Sequence, residues 1–166
     1  MTNTYSAFFY GSLMSRNVLL RVLCGLEATE QTKNSKYDSI TSRPVLLSGY
    51  KRSCLRGEQY PGMLFTGNPH DQVTGVLCEG LDAKDINALD TFEGKDYQRI
   101  PIYVTTEDGV SVATEGYLYI GDVSLVTGVE WDFHDFLTSG REQQWLDDRC
   151  EFYQVDILNQ TNATLV

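Results

Sequence analysis

Hydrophobic positions along this chain change period several times, and each change marks a secondary-structure element. Residues 6–10 (Ser-Ala-Phe-Phe-Tyr) form a short aromatic-rich run with the length of a buried strand. Gly11-Ser12 interrupts it. Beyond Ser15, a side chain suited to a helix N-cap, Val18, Leu19, Leu20, Val22 and Leu23 fall on adjoining faces of a helix. Residues 44–50, 62–65 and 73–81 read as three more strands, the last two separated by the turn sequence Gly67-Asn68-Pro69. Asp82 stands where a helix cap belongs, with Asp85 three residues on in a capping-box arrangement. Ile86, Leu89 and Phe92 then make the apolar stripe of a short helix over 83–92, with Gly94 just past its end.

Residues 100–105 and 111–120 flank Glu107-Asp108-Gly109, where Asp-Gly supplies the positive φ angles of a tight hairpin turn. Residues 132–157 carry Phe133, Phe136, Leu137, Trp145, Leu146 and Phe152 and predict a helical segment broken at Gly140. Residues 27–42 are polar and without period, which predicts a mobile loop or lid. No repeat or linker divides the chain. The pattern predicts one α+β domain over 1–166, with a mostly antiparallel, barrel-like sheet and a helical C-terminal tail.

Composition narrows the possible partners. With 42% hydrophobic and 11% aromatic residues, 166 residues suffice for one real core. The net charge of −10, from 23 acidic against 13 basic side chains with no Lys/Arg run, argues against nucleic acid and membrane surfaces as partners. Cys24, Cys54, Cys78 and Cys150 are widely spaced and form no C-x-x-C pair, so neither a zinc site nor a disulfide scaffold is expected. Residues 1–6 lack the layout of a signal peptide, and no apolar run approaches the roughly 18 residues of a membrane span. A cytoplasmic location is expected by elimination, and the sequons Asn159-Gln160-Thr161 and Asn162-Ala163-Thr164 read as chance.

Two places could carry chemistry. Tyr10-Gly11-Ser12-Leu13 sits where a strand gives way to a helix, and glycine there lets successive N–H groups converge on an anion such as a carboxylate. A purely structural turn fits the same four residues. Glu93 lies at the carbonyl end of its helix, where a carboxylate's charged form is disfavoured. Surrounding aromatics that exclude water would raise its pKa toward the range useful for proton transfer. An exposed glutamate in a helix-terminal turn fits the local sequence equally. No G-x-S-x-G elbow supports Ser12 as a nucleophile, and His70 and His134 have no partner at ligand spacing. No metal site or cofactor is expected.

Taken together, Phe8-Phe9-Tyr10-Gly11-Ser12-Leu13 and the run from Leu89 through Phe92-Glu93-Gly94 to Tyr97 and Arg99 resemble the γ-glutamylcyclotransferase-like family, in its AIG2-like branch. Tyr60-Pro61-Gly62-Met63, Thr74-Gly75-Val76-Leu77 and Glu130-Trp131-Asp132-Phe133 extend the resemblance in the right order, over residues 6–146. The resemblance implies a small closed sheet with flanking helices and one cavity at the sheet's end. It implies a carboxylate cradle at Tyr10, Gly11, Ser12 and Leu13, and Glu93 as the acid/base that turns a γ-glutamyl amide into 5-oxoproline and a free amine. Tyr60, Tyr97 and Tyr117 are expected in the cavity wall or the core, and Arg99 against a carboxylate near the site or on the surface. Two other readings stand beside this one. A tailoring enzyme of secondary metabolism would use the same pocket on another substrate, in a wider and more apolar cavity. A non-catalytic protein would bind a ligand there without turnover.

Overall fold

The run at residues 6–10 is apolar throughout because its side chains serve two cores in alternation. In the computed structural model, which describes residues 4–164, strand β1 (Tyr5–Phe9) buries Phe8 inside a barrel, with Tyr10 just beyond it, and Ala7 and Phe9 outside it beneath the helices. Helix α1 (Arg16–Cys24) follows a single 3-10 turn over Ser12–Met14 and is capped by Ser15, whose hydroxyl accepts from the Val18 amide at 3.2 Å. Helix α2 (Glu30–Asp38) comes next, then strands β2 (Thr41–Ser48), β3 (Tyr50–Cys54), β4 (Pro61–Phe65) and β5 (Gln72–Leu81). Helix α3 (Ala83–Glu93) precedes strands β6 (Tyr97–Thr106) and β7 (Ser111–Tyr119), and helices α4 (Phe133–Thr138), α5 (Arg141–Asp147) and α6 (Tyr153–Thr164) complete the chain.

Five strands close a barrel in the order β1-β5-β2-β6-β7, and β3 with β4 forms a separate two-stranded sheet. The barrel's neighbours run antiparallel except β1 and β7, which meet in parallel at Phe8 opposite Gly116. The fold is therefore α+β, a closed and mostly antiparallel barrel with flanking helices, as the sequence pattern predicts. Val45, Leu47, Met63, Val73, Leu77, Ile102 and Val104 fill the interior around Phe8 and Tyr10. The second core lies between barrel and helices and contains Leu89, Trp131, Phe136, Trp145 and Phe152. Each fully buried Phe or Leu there stabilises the fold by roughly 1.5–3 kcal/mol over leaving it exposed.

Three expectations need correction. Residues 27–42 are not a loop: α2 and the start of β2 occupy them. The segment shows no apolar period because α2 buries none of its residues. It is held instead by polar contacts. Thr29 caps it, Lys36 pairs with the buried Asp85, and the Arg16 guanidinium donates to Asn34 at 2.6 Å while stacking 5.0 Å over the Tyr37 ring. The expected strand over 44–50 is two strands that part at Gly49, β2 before it and β3 after it. The expected hairpin of β6 and β7 forms, but Asp108 does not take the positive φ that the Asp-Gly signal implied. The connection spans 107–110, with only Gly109 at positive φ (84°), and Thr106 closes it through bonds to and from Val110.

The helix-end expectations hold. The capping box of Asp82 and Asp85 is formed in both directions, and the tail helix breaks at Gly140 and again after Asp147. Cys78 is buried and Cys24 and Cys54 are half-buried, all as free thiols. The Asn159 side chain donates to the Val22 carbonyl at 3.0 Å, a packing role on α1. Residues 1–3, the side chain of Cys150 and the side chains of sequon residues 161–164 lie outside the described residues. Among the described residues no helix is long and apolar enough to cross a membrane.

Candidate active site

Where β1 leaves the barrel, the chain must turn sharply past β4, and the residue types there follow from that crowding. A Cβ on Gly11 would lie 2.8 Å from Pro61 Cδ and 2.9 Å from Cγ, so only glycine fits without moving the β4 backbone. Ser12 and Leu13 continue into the 3-10 turn and are buried. The N–H groups of Gly11, Ser12 and Leu13 donate to no protein acceptor among the described residues, as expected at the start of a helical turn. All three residues line a cleft of about 600 Å³, counting the solvent in its mouth.

The opposite wall comes from the end of α3. Glu93 is its last helical residue, and Gly94 turns the chain away at φ 72°. The Glu93 side chain is half-buried and accepts no hydrogen bond from the protein among the described residues. Burial pushes its carboxyl up to about 8 from 4.5, and the nearby Asp90 carboxylate adds to the rise. Desolvation, which the sequence set beside the helix terminus, is the largest cause of the rise. At neutral pH Glu93 is a carboxylic acid in the resting cleft, poised to exchange a proton.

Tyrosines complete the frame. The Tyr10 hydroxyl donates to the Tyr117 carbonyl at 2.7 Å, Tyr97 donates to the Pro61 carbonyl at 2.7 Å, and Tyr117 donates to Asp90 Oδ1 at 2.9 Å. Burial, chiefly, raises all three hydroxyls far above their ordinary range, so they remain neutral donors. Tyr60 packs edge-on against Tyr97 and lies tilted 5.9 Å from Trp145. Arg99 is near the site but not in its wall: Nε donates to Asp90 Oδ1 at 3.0 Å and Nη1 to Glu115 Oε1 at 2.8 Å.

All eight residues singled out from sequence, Tyr10, Gly11, Ser12, Leu13, Tyr60, Glu93, Tyr97 and Tyr117, line this one cleft. The sequence reading missed the outer wall, formed by Phe92, Asp96, Trp145 and Glu151. Phe92 was legible only as a stripe residue of α3. Trp145 and Glu151 belong to the tail, where nothing local distinguishes a cavity-lining aromatic from a core one. No residue of 27–42 reaches the cleft, so α2 is not a lid over it. Among the described residues no group of three His, Cys, Asp or Glu side chains is placed to hold a metal ion.

The barrel, the glycine turn beneath Pro61 and the glutamate facing it define a class, and comparison with known proteins agrees. The family model for gamma-glutamyl cyclotransferase, AIG2-like, matches residues 7–133. The chain belongs to that family of γ-glutamyl cyclotransferase-like enzymes. It is 31% identical to AIG2-like protein B of Arabidopsis thaliana over 133 residues, covering 80% of this chain and 69% of that one. A solution structure of an Arabidopsis thaliana protein superimposes with a TM-score of 0.62 at 24% identity, covering 90% of this chain and 82% of that one. A solved gamma-glutamyl cyclotransferase shares the fold with a TM-score of 0.52 at 20% identity, over 70% of this chain and 67% of its own.

Proposed function

We propose that this protein is a γ-glutamyl cyclotransferase for a small-molecule γ-glutamyl amine, with Glu93 as its single acid/base. One observation carries this reading: among the described residues an unpartnered carboxyl with pKa near 8 and three unpaired backbone donors line one cleft. The donors of Gly11, Ser12 and Leu13 take the substrate's α-carboxylate. Its α-ammonium lies against Glu93, where each charge favours the other and the glutamate ionises.

Glu93 then accepts a proton from the ammonium, and the freed amine attacks the γ-carbonyl carbon. A new C–N bond closes the five-membered ring, and the carbonyl π electrons move onto oxygen. As that oxyanion collapses, the bond to the leaving nitrogen breaks and Glu93 hands its proton to that nitrogen. The ring nitrogen then gives up its second proton through Glu93, and the amine departs as an ammonium. The products are 5-oxoproline and a free amine, and no water is consumed. The reaction is an intramolecular acyl transfer whose nucleophile belongs to the substrate. Holding the chain curled supplies much of the acceleration, since proximity is worth up to ~7–11 kcal/mol.

The outer wall favours a particular leaving group. Asp96 and Glu151 stand there with the rings of Tyr60 and Trp145, and no Lys or Arg among the described residues lines the cleft. Carboxylates and aromatic faces both attract a cation, so an amine carrying a second positive charge suits this wall better than one carrying a carboxylate.

The test is 5-oxoproline release, measured by mass spectrometry, from γ-glutamyl diamines, γ-glutamyl amino acids and glutathione. Turnover that falls by roughly 10²–10⁴ in a folded Glu93→Gln variant is the expected result. No 5-oxoproline from folded wild-type protein on any substrate would overturn the assignment.

A further inference from the structure

One buried cation behind the glycine turn has no part in the scheme above. Arg52, on β3, does not line the cleft, and only 10% of its side chain is exposed. Its Nη1 donates to the Tyr10 carbonyl at 2.7 Å and to the Thr74 carbonyl of β5 at 3.0 Å. Its Nε donates to Glu130 Oε1 at 2.7 Å, and its guanidinium lies 5.8 Å from the Trp131 ring centroid. Every element around the turn thus converges on one planar group.

The Tyr10 carbonyl belongs to the same peptide as the Gly11 N–H. In a trans peptide the C=O and N–H point in opposite directions, and no cis bond occurs among the described residues. A carbonyl fixed toward Arg52 therefore fixes the Gly11 N–H on the other side, toward the cleft that Gly11 lines. Gly11 has no Cβ to hold the plane by sterics, so that peptide could otherwise rotate. A charged donor on the carbonyl also polarises the peptide, which strengthens the N–H as a donor.

The geometry points to Arg52 as a positioning residue that orients and polarises the Tyr10–Gly11 peptide for binding the substrate's α-carboxylate. This rests on the proposed carboxylate cradle. It adds that the cradle is held open from behind by a cation that never touches substrate. The α-carboxylate is bound in ground state and transition state alike, so loss of Arg52 raises KM and leaves kcat nearly unchanged. A residue that only stapled β3 to β5 would lower thermal stability without that split.

The experiment compares wild type, Arg52→Met and Arg52→Lys. Binding of 5-oxoproline and of 2-pyrrolidinone, the same ring without its carboxylate, is measured by titration, and the Gly11 amide is followed in ¹H–¹⁵N spectra without ligand. The expected result is a loss of roughly 10- to 100-fold in 5-oxoproline affinity for Arg52→Met, with 2-pyrrolidinone unaffected. Arg52→Lys keeps a charged donor and recovers part of the loss, and the Gly11 amide proton moves upfield in Arg52→Met. Unchanged 5-oxoproline binding by folded Arg52→Met, or an equal loss for both rings, overturns the inference. If wild type binds neither ring and turns nothing over, the cyclotransferase reading fails. The Gly11 resonance still decides whether Arg52 sets that peptide, and an unmoved resonance overturns the inference. Should Arg52→Met not fold, Arg52→Lys carries the same comparison.

Discussion

Asp90 and Glu93 lie three residues apart on α3, yet one carboxylate is hydrogen-bonded and the other, among the described residues, is bare. Asp90 Oδ1 accepts from Arg99 at 3.0 Å and from Tyr117 at 2.9 Å, whereas Glu93 has no protein donor among the described residues. Asp90 is thereby held close to Glu93, and after burial its proximity adds to the rise of the Glu93 pKa. A helix places residues i and i+3 on neighbouring positions of one face, so the spacing alone delivers this pairing.

The pH dependence of kcat/KM follows from it. With the Glu93 carboxyl at about 8, kcat/KM should climb as pH approaches 8 and fall again where the substrate's own α-ammonium deprotonates. Asp90→Asn removes the neighbouring negative charge, and the rising limb should move to lower pH. Steady-state kinetics across pH 5–10 check both limbs; a limb unmoved by Asp90→Asn would remove Asp90 from the tuning of Glu93.

Stability should depend on the same carboxyl. Its folded pKa of about 8 exceeds the ordinary 4.5, so the fold holds a proton that the unfolded chain has already released. Stability contributed by that protonated group is present below about pH 4.5 and is lost as pH rises through 8. Glu93→Gln escapes the loss. Thermal melts should show the variant more stable than wild type above pH 8, by an amount on the order of a few kcal/mol, and close to it at pH 4.

The tail is tied to α1 by a bidentate pair. Arg21 Nη1 and Nη2 donate to the two Asp156 carboxylate oxygens at 2.5 and 2.7 Å, and the guanidinium stacks 4.5 Å over Phe152. The Arg21 side chain is 8% exposed. Asp156→Ala leaves that cation uncompensated and should cost about 3 kcal/mol in chemical denaturation. A loss under ~1 kcal/mol would mean that water already serves the guanidinium.

Charge in the outer wall should govern the choice of leaving amine. Glu151 is half-buried, and burial with nearby Glu58 raises its carboxyl. Glu151→Gln should reduce kcat/KM for a γ-glutamyl diamine by roughly 2- to 10-fold and leave a γ-glutamyl monoamine nearly unchanged. An equal effect on both would show that Glu151 only shapes the wall.

How far the sequence revealed these parts depended on whether their signals were local. The α3 capping box, Gly94 and the Phe8–Leu13 run are written in adjacent residues, so the helix, its end and the turn were legible. The α2 helix was not, because an all-polar helix held by Lys36 to Asp85 has no period to detect. The strand break at Gly49 was hidden within one apolar run. Arg52 gave no signal, since its partners Tyr10, Thr74 and Glu130 come from three distant stretches. Trp145 and Glu151 fell within a segment read correctly as helical, but their place in the cleft depends on how the tail packs.

That packing divides the cleft by origin. The matched family region ends at residue 133, and it contains the glycine turn, Glu93 and the tyrosines. Trp145 and Glu151 come after it. On the proposed function, bond-making chemistry and choice of amine would reside in separate stretches of chain, joined through the packing of α6 and the Arg21–Asp156 pair. On that reading the tail would act as an exchangeable cassette: a relative's C-terminal helices docked on this barrel would bring a new substrate range to an unaltered reaction centre.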